Sequence, residues 1–140
     1  MAFTGNYTCN VFKTGILNGS FDFSTDTFYL ALYTNNATLD ATTTAYTSTG
    51  EASGGNYSGG GLPLTVTQTP TTGPSGTTAY ISFGNVSWTG AITARGALIY
   101  KSGSNGAVCV LDFGSDKTST ASFTVQFPSA TNSSAIIRIS

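Results

Sequence analysis

With histidine absent, six carboxylates and two thiols are the first side chains to weigh for acid–base or nucleophilic chemistry: Asp22, Asp26, Asp40, Glu51, Asp112, Asp116, Cys9 and Cys109. The chain contains no histidine, which removes Ser–His–Asp triads, Cys–His dyads and most zinc sites together. A glycosidase needs two carboxyl groups facing each other across a cleft. Asp112 and Asp116 are the closest pair in the second half of the chain. They sit in "LDFGSDK", which reads as a strand end entering a turn where Asp caps its own backbone. The same segment lacks the acidic spacing of an EF-hand loop. No catalytic residue, metal site or cofactor is expected. Cys9 and Cys109 lie a hundred positions apart with no C-x-x-C pair, so two unpaired thiols are favoured over a disulfide. The cluster "GGNYSGGG" has neither the following Lys-Ser/Thr nor the helix pattern of a phosphate-binding loop, and reads as a flexible loop.

The elements that must position these residues are mostly strands. With 140 residues the chain is long enough for one domain, residues 1–140, with its own core. Its net charge is −1 and only 8% of residues are charged, while 12% are aromatic, a balance that argues against disorder. Abundant Thr, Val, Tyr and Phe with frequent Gly favours an all-β fold with many turns.

The segment "CNVFKTGILNGSFDF" is the one helix candidate: Phe12 and Ile16 share a face and Asn18-Gly19 supplies a stop. A turn or two is expected. In "DTFYLALYTNN", Phe28, Leu30 and Leu32 alternate with Tyr29, Ala31 and Tyr33, so both faces need cover, either from the core or from another chain. Residues 40–61 form a long polar loop with Tyr46 and Tyr57 as anchors, of a length that points to function or to ordering by a partner. Leu62, Leu64 and Val66 read as a half-exposed strand that Pro63 places at an edge or a start. "TPTTGPSGTT" reads as a loop. Then follow "AYISFGNVSW", "ARGALIY", "AVCVLDF", "SFTVQF" and "AIIRI" as strands. The expected fold is a single jelly-roll-like β-sandwich of about seven or eight strands with one short N-terminal helix.

Charge also bounds the partners. Lys13, Arg95, Lys101, Lys117 and Arg138 are scattered, so no basic patch for nucleic acid forms. No run approaches the roughly 18 apolar residues of a membrane helix, and no signal-peptide pattern stands at the start. The chain reads as made and folded in a cytoplasm. A nearly neutral surface carries little repulsion between copies, which suits an assembly. The aromatics Tyr29, Tyr33, Tyr46, Tyr57 and Trp88 are read as interface cover in preference to a sugar-stacking platform.

Two blocks of sequence together resemble small virion structural proteins of tailed bacteriophages, cyanophages included. The first holds Phe12, Lys13, Gly15, Ile16 and Leu17, then Asp26-Thr27-Phe28 and Leu32-Tyr33-Thr34. It continues through the loop positions Thr44, Tyr46, Gly50, Glu51, Gly55, Tyr57, Gly59 and Gly60. The second holds Trp88-Thr89, Ala94-Arg95-Gly96-Ala97, Ile99-Tyr100, Asp112-Phe113-Gly114 and Phe127-Pro128. The resemblance implies a non-enzymatic capsid decoration (cement) protein, a homotrimer bound to phage capsid protein on the outer shell of the virion. The alternative it allows is a tail-fibre or receptor-binding component whose tyrosine loops recognise a host surface glycan. Within that frame Arg95 is expected to be a structural tie, its guanidinium fork binding Asp112 or Glu51 and so holding loop 40–61 to the sheet. Residues 1–10 are expected to form an N-terminal arm. Phe3, Tyr7, Tyr46 and Tyr57 are the expected subunit or capsid contacts.

Overall fold

A computed structural model describes residues 3–74 and 76–140. Among these residues ten strands and one helix follow in the order β1 (Tyr7–Thr8), α1 (Asn10–Asn18), β2 (Phe28–Tyr33), β3 (Leu62–Pro63), β4 (Val66–Thr71) and β5 (Ala79–Phe83). The rest are β6 (Val86–Thr89), β7 (Thr93–Lys101), β8 (Ala107–Thr118), β9 (Ser122–Val125) and β10 (Ile137–Ile139). The protein is mostly β, and its strands form three antiparallel sheets. The largest has the order β1-β8-β7-β2-β3, the second β10-β5-β4, and the third is the ribbon β6-β9.

The helix lies where Phe12 and the Asn18-Gly19 stop place it. Phe12 and Gly15 are its buried residues, and Gly19 ends it in the left-handed conformation with φ 78°. At Gly15 the ring of Phe21 occupies the space a Cβ would need. Phe21 and Phe23 meet Phe12 edge-on, with centroids 5.1 and 5.8 Å away.

β7 is the middle strand of the large sheet with β2 beside it, and β2 and the Gly96–Tyr100 stretch of β7 are buried on both faces or nearly so. On one face Phe28 stacks on Phe23 at 4.5 Å and approaches Phe83 of β5 at 6.3 Å, joining the first sheet to the second. On the other, Tyr29 stacks on its register partner Tyr100, and Tyr100 stacks on Tyr46 of the loop. The second face of β2 is therefore covered by this chain's own loop. In the β6-β9 ribbon the alternation is complete: Val86, Trp88, Phe123 and Val125 point inward, while Ser87, Thr89, Ser122 and Thr124 point out.

Several boundaries differ from the sequence reading. The run from Leu62 to Val66 divides: β3 pairs with β2, and β4 begins a different sheet. β4 extends through Pro70 into the segment read as a loop, because an edge strand tolerates proline and a polar face. "AYISFGNVSW" breaks at Gly84-Asn85 into strands of two sheets. β8 continues past "LDFGSDK" to Thr118, where a turn was expected, because a bulge absorbs the irregular residues. Residues 3–10 do not project as an arm. Phe3 is fully buried over Gly96, where a Cβ would strike its ring, and Tyr7-Thr8 pairs with Val110-Cys109. Met1 and Ala2 lie outside the described residues.

Candidate functional site

Two polar constellations stand out against the nearly uncharged background. The first is built on Glu51. The loop from Asp40 to Gly61 returns along the edge of β2, where the Ala52 amide donates to the Leu32 carbonyl at 2.9 Å and Glu51 forms an isolated bridge to Tyr33. That path brings the carboxylate among tyrosines. Oε1 accepts from the Tyr57 hydroxyl and the Gly60 amide, both at 2.7 Å, and Oε2 accepts from the Tyr46 hydroxyl at 2.7 Å. Tyr57 in turn accepts from the Leu32 amide at 2.9 Å. Tyr100 donates to the Gly60 carbonyl at 2.6 Å, and Tyr33 to the Thr47 carbonyl at 2.7 Å. Four tyrosines from loop and sheet thus close around one acid.

The electrostatics follow from burial beside that acid. Tyr46 is pushed up to about 12, chiefly by burial and then by donating to Glu51. Tyr100 also rises to about 12, through burial and the Glu51 charge. Tyr33 and Tyr57 are raised further, again through burial first. All four hydroxyls are held neutral as donors. Three of the roughly four acceptor positions on Glu51 are filled by its own chain. Such a carboxylate fastens the loop to the sheet.

The glycines of the loop permit the close approach. Gly61, at φ +78°, lies against the Leu30 carbonyl, and Gly55, at φ +52°, against the Thr89 carbonyl; a Cβ at either would collide with backbone. The segment read as flexible is therefore pressed onto β2 and the end of β6. Next to it Tyr57 packs against Trp88 at 5.4 Å. The Trp88 indole N–H is buried without a hydrogen-bond partner among the described residues.

The second constellation is a clamp on the β7-β8 hairpin. Gly96 pairs with Asp112 and Ala94 with Lys117, so Phe113–Asp116 bulge from β8. Arg95 Nε donates to Asp112 Oδ1 at 2.9 Å, and the same oxygen accepts from the Gly114 amide at 2.8 Å. The Asp112 amide donates to Asn6 Oδ1 at 2.6 Å. Hydrogen bonding to Arg95 holds the Asp112 carboxyl below the usual carboxylate range. Arg95 pairs with Asp112 and not with Glu51: it shapes the bulge and, through Asn6, the N-terminal strand. The tie on loop 40–61 belongs to Glu51 and its tyrosines.

The residues read as partner contacts divide accordingly. Phe3 faces the core. Tyr46 and Tyr57 are half-buried with their hydroxyls turned inward onto Glu51. Tyr7 remains half-exposed, hydrogen-bonded to Thr4 Oγ1 at 2.6 Å. The sequence reading missed the role of Glu51 as the hub. Its signal was a single acid with tyrosines five positions before and six after it, in a segment otherwise without charge between Asp40 and Gly61.

Both cysteines are free and buried. Thr8 is paired with Cys109, and the Cys9 amide donates to the Val108 carbonyl, so the two thiols stand on adjacent rungs of the β1-β8 ladder. Among the described residues no group of three or more Cys, Asp or Glu converges as a metal site, and no helix is long and apolar enough to cross a membrane. Comparison of the chain with protein-family models, with curated proteins and with solved structures gives no match.

Proposed function

We propose that this chain is a non-enzymatic structural protein of a phage virion, a decoration protein that binds and stabilises the assembled shell. The observation that carries the reading is the hydroxyl-faced, almost uncharged strand surface. On the β6-β9 ribbon Ser87 and Thr124 hydrogen-bond across the outer face at 2.7 Å, and Thr93 and Thr118 do the same on β7-β8 at 2.9 Å. A surface whose polar groups are neutral and already paired resists water loss little and repels no neighbouring copy. The motif order that resembles small tailed-phage structural proteins adds the virion to that assembly role. The Phe28–Phe83 and Phe23–Phe83 contacts support reading the β2-β7-β8 and β4-β5-β10 layers as the two halves of one jelly-roll-like sandwich. A homotrimer at the local threefold positions of the shell fits this role, because threefold sites take threefold partners. Binding the expanded shell and not its dissociated subunits stabilises the particle by mass action.

The tail-fibre alternative asks the tyrosine loops to stack on a glycan, and the inward hydroxyls of Tyr46 and Tyr57 weigh against it. The deciding experiment is the copy number of this chain per purified particle, by quantitative mass spectrometry. A number that scales with the major shell subunit is expected. A few copies per particle would move the protein to the tail, and absence from the particle would overturn the reading.

A further inference from the structure

Leu17 is 89% exposed and Ile139 is 52% exposed, and they are the exposed large apolar side chains of the described chain. They belong to one place. A groove of about 810 Å³ runs between α1 and β10, with Phe12, Ile16, Leu17, Ile136, Ile137 and Ile139 among its walls. Ile16, Ile137 and Ile139 also line a smaller apolar depression beside it. β10 is an edge strand, hydrogen-bonded to β5 on one side only. The outward backbone groups of Ile137–Ile139 have no backbone partner among the described residues. An apolar edge of this kind is a template for another strand.

The charged side chains of the larger groove are cationic, while Asp22 lines the smaller depression beside it. Lys13 and Arg138 line the larger groove, and no Asp or Glu does. Of the three other cations two are matched to acids, Arg95 with Asp112 and Lys101 with Asp26 at 3.2 Å, while Lys117 forms no ion pair among the described residues. Lys13 and Arg138 form no ion pair among the described residues, and the Arg138 guanidinium rests on the Ser133 carbonyl. Two exposed, unpaired cations beside an apolar floor complement a ligand that is apolar and acidic at once. Leu17 and Ile139 line the groove yet remain largely open to solvent, so the occupant that would cover both is a chain lying across it.

We infer that the α1–β10 groove docks an extended segment of a partner protein, one that alternates apolar and acidic residues and adds as a strand to the free edge of β10. The apolar side chains fill the groove, the carboxylates meet Lys13 and Arg138, and main-chain hydrogen bonds run to residues 137–139. This inference stands on the groove alone and holds wherever the protein acts.

The test uses a capped heptapeptide alternating valine with aspartate and glutamate, and its counterpart with lysine at the acidic positions, titrated into the full chain by calorimetry. The acidic peptide is expected to bind at least about tenfold tighter, as opposite-charge rims do when they steer recognition. It should also slow amide hydrogen exchange at Ile137–Ile139. The doubly reversed variant Lys13→Glu/Arg138→Glu, changed only at exposed positions, should exchange that preference. Equal binding of both peptides, or unchanged exchange at 137–139, overturns the proposal. So does binding of dodecanoate with no peptide binding, which would make the groove a small-molecule site. Self-association in the ultracentrifuge that Leu17→Ser abolishes would place a second copy there and overturn it as well.

Discussion

Tyr57 and Glu51, six residues apart in one loop, meet at 2.7 Å with the Tyr57 hydroxyl also accepting from the Leu32 amide. One oxygen thus links the loop carboxylate to the backbone of the central sheet. The fastening of residues 40–61 depends on a relay in which every member is both held and holding.

Removing the acid should show that dependence. Glu51→Ala leaves the Tyr46 and Tyr57 hydroxyls and the Gly60 amide without their acceptor, and hydrogen bonds to charged groups are each worth about 1.5–3 kcal/mol. Because the three share one site and do not add, a loss of about 3 kcal/mol is expected in urea denaturation. Glu51→Gln, which keeps one acceptor oxygen, should lose about half as much. Proteolysis within 40–61 should accelerate in both, and unchanged cleavage would refute the relay.

Alkali should release the same clamp. Tyr46 and Tyr100 ionise at about 12 in the folded chain against an ordinary value of 10.0. A group whose folded value is raised contributes stability fully below its unfolded value and loses it as pH climbs through the folded one. Stability should therefore hold up to about pH 10 and fall between pH 10 and 12. Ultraviolet titration should show the phenolate signal of these two residues appearing with unfolding. A full seven-tyrosine titration near pH 10 with the fold intact would contradict the buried network.

Arg95→Ala should act on a different part of the molecule. It frees the β8 bulge and lowers the melting temperature by a few degrees, roughly the scale of one lost surface tie, while cleavage of loop 40–61 stays at the wild-type rate. Asp112 has a depressed value, so the contribution of the pair is present above the unfolded carboxylate value of 3.8 and disappears as pH falls through the folded one. The difference between variant and wild type should vanish in acid. A faster-cut loop would show that Arg95 does reach it.

Gly61→Ala tests the close approach directly. The backbone there is left-handed and the new methyl would meet the Leu30 carbonyl. A cost of about 3 kcal/mol or more is expected, combining backbone strain of about 1–3 kcal/mol with displacement of the loop. Wild-type stability of this variant would mean that the loop does not press on β2.

The thiols should be silent in the native state. Burial lifts Cys9 to about 11 and Cys109 to about 12, so neither supplies thiolate near neutral pH. Ellman's reagent at pH 8 should titrate both only as fast as the protein unfolds.

Legibility in the sequence followed the strength of local patterns. The helix was readable because Phe12, Ile16 and Gly19 obey helical spacing and capping at once. β2 was readable because six consecutive apolar or aromatic residues admit few other structures. β4 was not: "VTQTPT" carries the polarity and proline of a loop, and only its pairing with β5 makes it a strand. β8 runs longer than its sequence suggests: Gly114 in "LDFGSDK" reads as a strand end, whereas Arg95, bound to Asp112 seventeen positions on, keeps the strand going. Of the two acids that sequence offers to Arg95, Asp112 takes it and Glu51 does not, for a similar reason. A guanidinium is a common mate of a carboxylate, and nothing in linear spacing tells that Tyr46, Tyr57 and the Gly60 amide will fill Glu51 first.

The pairing of Tyr7-Thr8 with Val110-Cys109 also sets a schedule. About a hundred residues separate the two strands, and at a synthesis rate of roughly 5–20 residues per second the first waits about 5–20 s for the second. During that wait Phe3 and Cys9, wholly covered in the finished protein, have no lid. The β7-β8 hairpin, joined by a short turn, forms early, and closing the long circuit onto it is the entropically dear step. Newly made chains are therefore most vulnerable to sticking to one another just before these two strands meet, and a chaperone would find them there.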